Sequence, residues 1–573
     1  MSIMSKKSKD PLRFWKDLKR RKVIQVLAIY AGAAIVLIGL SDDVAGPFNL
    51  PDWVQRLVII LVIIGFPVTA ILSWLFDITP EGIKMTEPYE TGGEDENKNQ
   101  ATVPNPVYNN SIAILPFEDM SPEKDQGYFC DGMAEEIINS LTQVERLKVI
   151  ARTSAFAFKG KQMDIREIGN KLDVANVLEG SIRKDENKIR ITAQLIRVED
   201  GYHLWSETYN KELKDIFSLQ EEISLAIVEK LKMKILGEAM GGILKRYTEN
   251  TVAYMYYLKG LNYYQMMTPE ANQKAQDCYR KAIEEDPDYA LAYLVLGSNY
   301  LHACLNGFVS PDEAIKNARK YIKKALKIDQ TVPALYATLA IIKAFYDRDV
   351  EASGDYFIKS VKLHPNIAWD RFFYSTYLRL IGRIDEAIAE SLYALEKDPF
   401  NIYIRSYIGL YYLLAGNTEE CIKWQKSVID LYPSGFMAFQ HLGEAFEVKG
   451  MLGEAIESYE KAVTLSSGSP IAETKLACTL YKTGKTDEAR EKIKKVENMK
   501  KVVTFYIPSG QLILYYLLTK DLDKAFFWLK QACDEHDLSL PFMMRTPLAE
   551  YRMPDDPRFN TLLKETGLDK FMP

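Results

Sequence analysis

The feature that most limits what this chain can fold into is a 34-residue period in its C-terminal half. Gly382, Gly416, Gly450 and Gly484 stand 34 residues apart, as do Ala387, Cys421, Ala455 and Ala489. Pro365, Pro399, Pro433 and Ser467 keep the same interval. A recurring register of this kind means one supersecondary unit stacked on the next, because a single unit cannot bury its own apolar face.

The unit that starts at Phe436 shows what recurs. Leu442, Gly443 and Phe446 fall on a first helix, and Ala455, Tyr459 and Ala462 on a second. The small residues let the two helices approach, and the aromatic rings fill the space between neighbouring pairs. A helix–turn–helix repeat of this length is the tetratricopeptide signature. Eight units are expected, starting near Ala253, Ala290, Pro333, Ala368, Ile402, Phe436, Pro470 and Tyr506. The second holds about nine extra residues between Gly297 and Ala318, read as a longer loop between its helices. Asp556-Pro557 opens an expected terminal capping helix, so the solenoid covers residues 253–573.

Residues 111–237 have a different character. Ser111 to Phe117 reads as a buried strand, and Val149-Ile150 as a short second one. Asp131 is expected to cap a helix running to Leu141, and Asp164 one running to Leu172. Three further strands are expected over residues 174–183, 188–198 and 202–209, then a helix over 215–235. Helices interleaved with strands and ending in a meander define a small mixed α/β domain.

Two apolar runs lie near the start, 18 residues at 23–40 and 20 residues at 57–76, each close to the length of a membrane-spanning helix. A cleaved signal peptide is the weaker reading of the first, whose apolar core is long for that role. Residues 1–22 carry nine Lys or Arg, whereas the stretch 41–56 has only Arg56 against Asp42, Asp43 and Asp52. The expected arrangement is a basic cytoplasmic tail (1–22), a two-span hairpin in an inner (plasma) membrane (23–76) and both termini cytoplasmic. A flexible acidic linker (77–110), averaging roughly 30 Å end to end, would follow. The expected fold class is thus multidomain, α plus α/β: a transmembrane hairpin, the mixed domain and an α-solenoid.

With 78 acidic and 72 basic residues the chain has no global positive field, and no nucleic-acid partner is expected. GxxxxGK[ST], GxGxxG, HExxH and GxSxG are all missing from the sequence. The six cysteines are scattered and read as buried thiols of a reducing compartment, and the five histidines as structural residues. No metal, cofactor or catalytic residue is therefore expected. Asp131, Glu135 and Glu136 form an acidic group that a helix cap with first-turn charge accounts for more simply than acid–base chemistry.

The repeats offer a surface instead. Inner-helix positions not needed for packing are Trp369, Phe372, Thr376 and Arg379, then Tyr403 and Ser406, then Gln440, Glu444 and Glu447. Aromatic and polar side chains so mixed suit a peptide groove, and these nine residues are the candidate partner-binding site.

Several stretches resemble a known bacterial architecture. Residues 14–23 and 74–82 resemble the membrane hairpin found ahead of some bacterial repeat proteins. Residues 111–117, 128–132, 149–154, 177–181 and 203–207 resemble the TolB N-terminal/FlgO-like α/β domain. Relatives of this arrangement often carry a nucleotide-cyclase or a CadC-like winged-helix domain at the N-terminus. The 22 residues ahead of the first apolar run are too few for either, so the resemblance implies neither cyclase activity nor DNA binding. The function expected is a membrane-anchored scaffold or signalling adaptor for other proteins. The alternatives are a periplasmic envelope-assembly factor and a regulator whose α/β domain senses a small molecule.

Overall fold

The computed structural model describes residues 76–79, 82–85, 110–144, 147–231, 246–266, 268–502 and 506–572. The chain divides into two units, Met1–Thr102 and Val103–Pro573. In the first, β1 (Phe76–Thr79) pairs antiparallel with β2 (Gly82–Met85), Thr79 opposite Gly82. Part of the stretch expected as irregular linker is therefore a hairpin, and the expected second span runs into its first strand at Phe76. Among the described residues no helix is long and apolar enough to cross a membrane. The two-span inner-membrane placement is corrected on that finding. The tail 1–22, the apolar runs up to residue 75 and most of the linker lie outside the described residues.

In the second unit a mixed sheet has the strand order β5-β3-β6-β7-β8. It comprises β3 (Ser111–Ile114), the short β4 (Glu118–Asp119), β5 (Lys148–Val149), β6 (Asn176–Asp185), β7 (Lys188–Arg197) and β8 (His203–Glu212). β3 runs parallel to both β5 and β6, and β6, β7 and β8 form an antiparallel meander. Alternation along β3 explains the two layers around it. Ile112 and Ile114 join a core with helices Gly127–Leu141 and Ile216–Lys230, while Ala113 packs on the opposite face with Ile168 and Leu172 of helix Ile165–Leu172. Asp164 caps that helix by accepting from the Arg166 amide.

The first of these cores continues past the domain. Tyr254, Tyr257 and Leu258 of helix Thr251–Tyr264 belong to it, together with Tyr289 and Ala292. The sheet domain and the first repeats therefore share one hydrophobic core. Gly132 makes the contact possible: a Cβ there would sit 2.5 Å from a methyl of Leu258.

The rest is a solenoid of tetratricopeptide-like helix pairs. First helices are Thr251–Tyr264, Ala290–Leu305, Pro333–Phe345, Ala368–Leu380, Ile402–Leu414, Phe436–Val448, Pro470–Lys482 and Gly510–Leu518. The periodic glycines sit just past the ends of four of these. Gly382, Gly416, Gly450 and Gly484 have φ of 82, 85, 75 and 84°, a left-handed conformation that side-chain-bearing residues rarely adopt. The amide after each turns back to the helix, as Arg383 N–H does to Leu378 O at 2.9 Å, closing a Schellman turn. The second repeat departs from expectation. Its extra residues lengthen both helices to 16 and 18 residues, Ala290–Leu305 and Pro311–Ile328, and leave a short turn between them. Tyr506 N–H donates to Gly307 O of that turn at 2.8 Å, so the eighth repeat meets the second.

Candidate functional site

The nine groove residues separate into an exposed pair and an internal network. Trp369 and Tyr403 are 37% and 38% exposed, one repeat apart, with ring centroids 6.3 Å from each other. Phe436 is exposed one repeat further on, and it lines with Tyr403 and Met437 a cleft of about 260 Å3. Trp369 rests on Phe372 and Phe373, at 5.6 and 5.9 Å between centroids, so the three rings leave only part of their apolar area bare.

The other candidates serve the solenoid itself. Phe372 is buried and meets Tyr407 edge-on at 5.2 Å. The Thr376 hydroxyl donates to Phe372 O at 3.1 Å and lies 3.2 Å from the Tyr411 hydroxyl. Ser406 donates to Gln425 Oε1 at 2.8 Å and is 2.9 Å from His441 Nδ1, whose burial lowers its basicity. Gln440 is half-buried. Burial opposes the charge on Glu444, but Lys475 at 3.4 Å, His441 and Arg379 outweigh it and keep the carboxyl below its ordinary range.

Arg379 and Glu447 bind the chain's own C-terminal segment. The Arg379 guanidinium lies 4.9 Å from the Phe542 ring centroid. Glu447 is buried and accepts from Lys482 at 2.6 Å, Tyr551 at 2.6 Å and Tyr459 at 3.0 Å. Arg545 donates to Leu380 O at 2.9 Å and to Met572 O at 3.1 Å. The inner face expected to be open at these positions is therefore lined by residues 542–572 of the same chain. No local pattern in the sequence announces a contact between residues so far apart.

The acidic group near the start of the α/β domain also departs from the sequence reading. Asp131 does not cap a helix. The helix starts earlier, at Gly127 and with no side-chain cap, which places Asp131 in the second turn; just ahead of the helix Asp119 accepts from the Gln126 amide at 2.8 Å. Asp131 is buried there and held by Lys159 at 2.7 and 2.6 Å, while Glu135 pairs with Arg152 at 3.2 Å. Burial pushes Glu135 up despite Arg152. Burial, with Glu135 beside it, pushes Glu136 up to about 8. Periodicity shows a polar face here but not that the first repeat covers it. Among the described residues no cluster of His, Cys, Asp and Glu could hold a metal ion.

A second junction joins the α/β domain to the middle of the solenoid. Ser154 donates to the buried Asp398 at 2.5 Å and accepts from the Phe400 amide at 2.8 Å. Ala151 N–H donates to Lys397 O at 2.8 Å, and the Phe158 and Phe400 rings meet edge-on at 5.6 Å.

Residues 108–226 match the model of the HilA/YgeH-like transcriptional regulator, second domain, and residues 438–468 match the tetratricopeptide repeat. A putative adenylate cyclase 3 of Rhizobium meliloti (strain 1021) is 36% identical over 244 residues, 42% of this chain and 41% of the relative. The chain thus spans less than half of that relative's length. Among solved structures, Pseudomonas aeruginosa pilF is 15% identical at a TM-score of 0.30, over 37% of this chain and 93% of pilF. YrrB, described as a TPR protein with an unusual peptide-binding site, is 20% identical at 0.25, over 34% of this chain and 95% of its own. Human IFIT1 with PPP-AAAA is 15% identical at 0.37, over 57% of this chain and 85% of its own. The repeat match and the helix geometry together identify the C-terminal array as a tetratricopeptide-repeat solenoid.

Proposed function

We propose that this protein is an interaction scaffold that docks a partner polypeptide on the exposed aromatic rim of its central repeats. The observation that carries this reading is the exposed Trp369–Tyr403 pair beside the cleft at Phe436 and Met437. Aromatic side chains that are exposed, close together and next to a concave apolar surface are what binding hot spots are built from. The α/β domain is clamped to the solenoid at two junctions, so it and the repeats present one rigid surface. The regulator and cyclase names of the similar proteins describe those proteins. The reading here keeps only the part the geometry supports, a domain that binds and positions.

The site is narrower than the nine residues suggest. Trp369, Tyr403 and the Phe436 cleft contact the partner; Phe372, Thr376, Ser406 and Glu444 hold the helices that present them. Copurification with the full chain followed by mass spectrometry identifies the partner. Replacing Trp369 and Tyr403 together by alanine should then weaken binding of that purified partner by about tenfold or more, with the unfolding temperature unchanged. Unaltered affinity in the double variant would remove the rim from the reading.

A further inference from the structure

A small cavity of about 40 Å3 lies where helix Gly127–Leu141 of the α/β domain meets the first two repeats. Its walls are the rings of Phe217, Tyr247, Tyr254 and Tyr289, and Glu136 forms part of its lining. Phe217 and Tyr254 are 5.0 Å apart between centroids, and Tyr254 leads to Tyr257 and on to Tyr289 at 6.4 and 5.4 Å. Glu136 Oε1 is buried and has no hydrogen-bond partner among the described residues.

Several other polar groups around the cavity are already engaged. Gln220 donates to the Tyr254 hydroxyl at 2.5 Å, and the Thr248 hydroxyl is bound to Asp286. Arg246 at the rim is held by Glu221 at 2.6 Å and Glu249 at 3.4 Å, so it does not neutralise Glu136. Glu136 Oε1 keeps unmet accepting capacity in a setting of aromatic rings. Ring faces carry negative potential, and a carboxylate accepts N–H bonds without donating. Both attract a cation that donates hydrogen bonds and carries some apolar surface. The volume excludes a nucleotide or peptide.

We infer that this cavity is a binding site for a small organic ammonium, whose N–H donates to Glu136 while its carbon rests on the tyrosine rings. Ionisation supports the geometry. The groups facing Glu136 are Glu135 on its own helix and the hydroxyls of Tyr247, Tyr254, Tyr257 and Tyr289 from the repeats, with the Glu221–Arg246 pair at the rim. Burial and Glu135 keep Glu136 protonated up to about 8, so an entering cation displaces that proton.

The site stands apart from the Trp369 rim, and its failure would leave the scaffold reading untouched. The test is calorimetric titration of the full chain with methylammonium chloride, against sodium chloride at equal ionic strength and methanol as uncharged analogue. Saturable binding by methylammonium alone is expected, weakened about tenfold or more by Glu136→Gln and strengthened from about pH 6 to pH 9. Glu136→Gln should fold, since glutamine mimics the protonated side chain; Phe217→Leu, which removes one wall, gives an independent second loss. No saturable heat with methylammonium, or equal affinity in both variants, would overturn the assignment.

Discussion

Glu447, buried in the sixth first helix, accepts a hydrogen bond of 2.6 Å from the hydroxyl of Tyr551, 104 residues further along the chain. Lys482 bridges the same two regions by pairing with Glu447 and Glu550. A buried carboxylate is costly unless its oxygens are satisfied, so the C-terminal segment completes the polar interior of the solenoid. The repeats are stacked neighbour on neighbour, but this contact and the meeting of Tyr506 with Gly307 tie distant repeats together.

Tyr551→Phe should therefore destabilise the protein by about 1–2 kcal/mol in chemical denaturation, because Glu447 keeps Lys482 and Tyr459 as partners. Glu447→Ala should cost more, about 3 kcal/mol, by leaving the buried ends of several donors unpaired. Equal effects from the two would show that Tyr551 is the principal partner.

Gly132→Ala tests whether the α/β domain and the first repeat share a core. The added Cβ would meet a methyl of Leu258 at 2.5 Å, so that side chain must repack or a helix shift, at a cost of about 1–3 kcal/mol. Hydrogen exchange should quicken on both sides together, in helix Gly127–Leu141 and in helix Thr251–Tyr264. Faster exchange in only one of them would argue for separate cores.

Ser154→Ala removes a donor to the buried Asp398 and the acceptor for the Phe400 amide. A loss of about 1–3 kcal/mol is expected, together with faster proteolysis around residues 397–401. Ser154→Thr, which keeps the hydroxyl, should restore much of the difference.

The pH dependence of stability follows from Glu136. Its carboxyl is raised to about 8 in the folded protein, chiefly by burial, and is ordinary when unfolded. Between those values the folded state holds the extra proton, so this group's contribution falls as pH rises and levels off above 8. Glu136→Gln should match the natural protein near pH 4 and exceed it near pH 9 by up to about 5 kcal/mol, at about 1.4 kcal/mol for each pH unit between the ordinary value and 8. Guanidinium unfolding at the two pH values measures the difference, and a variant less stable at the higher value would contradict it.

Some of this was legible along the chain and some was not. The 34-residue glycine register could be read because a left-handed residue at a helix end is a local demand that glycine meets. The alternation of β7 and the Asp164 cap are local in the same way. Asp131 falls inside a helix rather than at its start because the chain turns helical four residues earlier, at Gly127, where no capping side chain marks the start. The extra residues of the second repeat suit a loop by local pattern, whereas they extend two helices, and the turn between them meets Tyr506 of the eighth repeat.

The sequence by itself determined the repeat unit, its period, and the strand and helix order of the α/β domain, since each depends on backbone preferences and apolar spacing within a few tens of residues. Tertiary structure decided which polar groups are buried and which rings stay bare. Thr376, Ser406 and Glu447 look alike to Trp369 and Tyr403 on a helical wheel. They differ because residues 35 to 104 positions away hydrogen-bond to them, whereas Trp369 and Tyr403 meet mainly aromatic rings and stay partly exposed. Burial is set by the superhelical path of the whole array, which no single repeat contains.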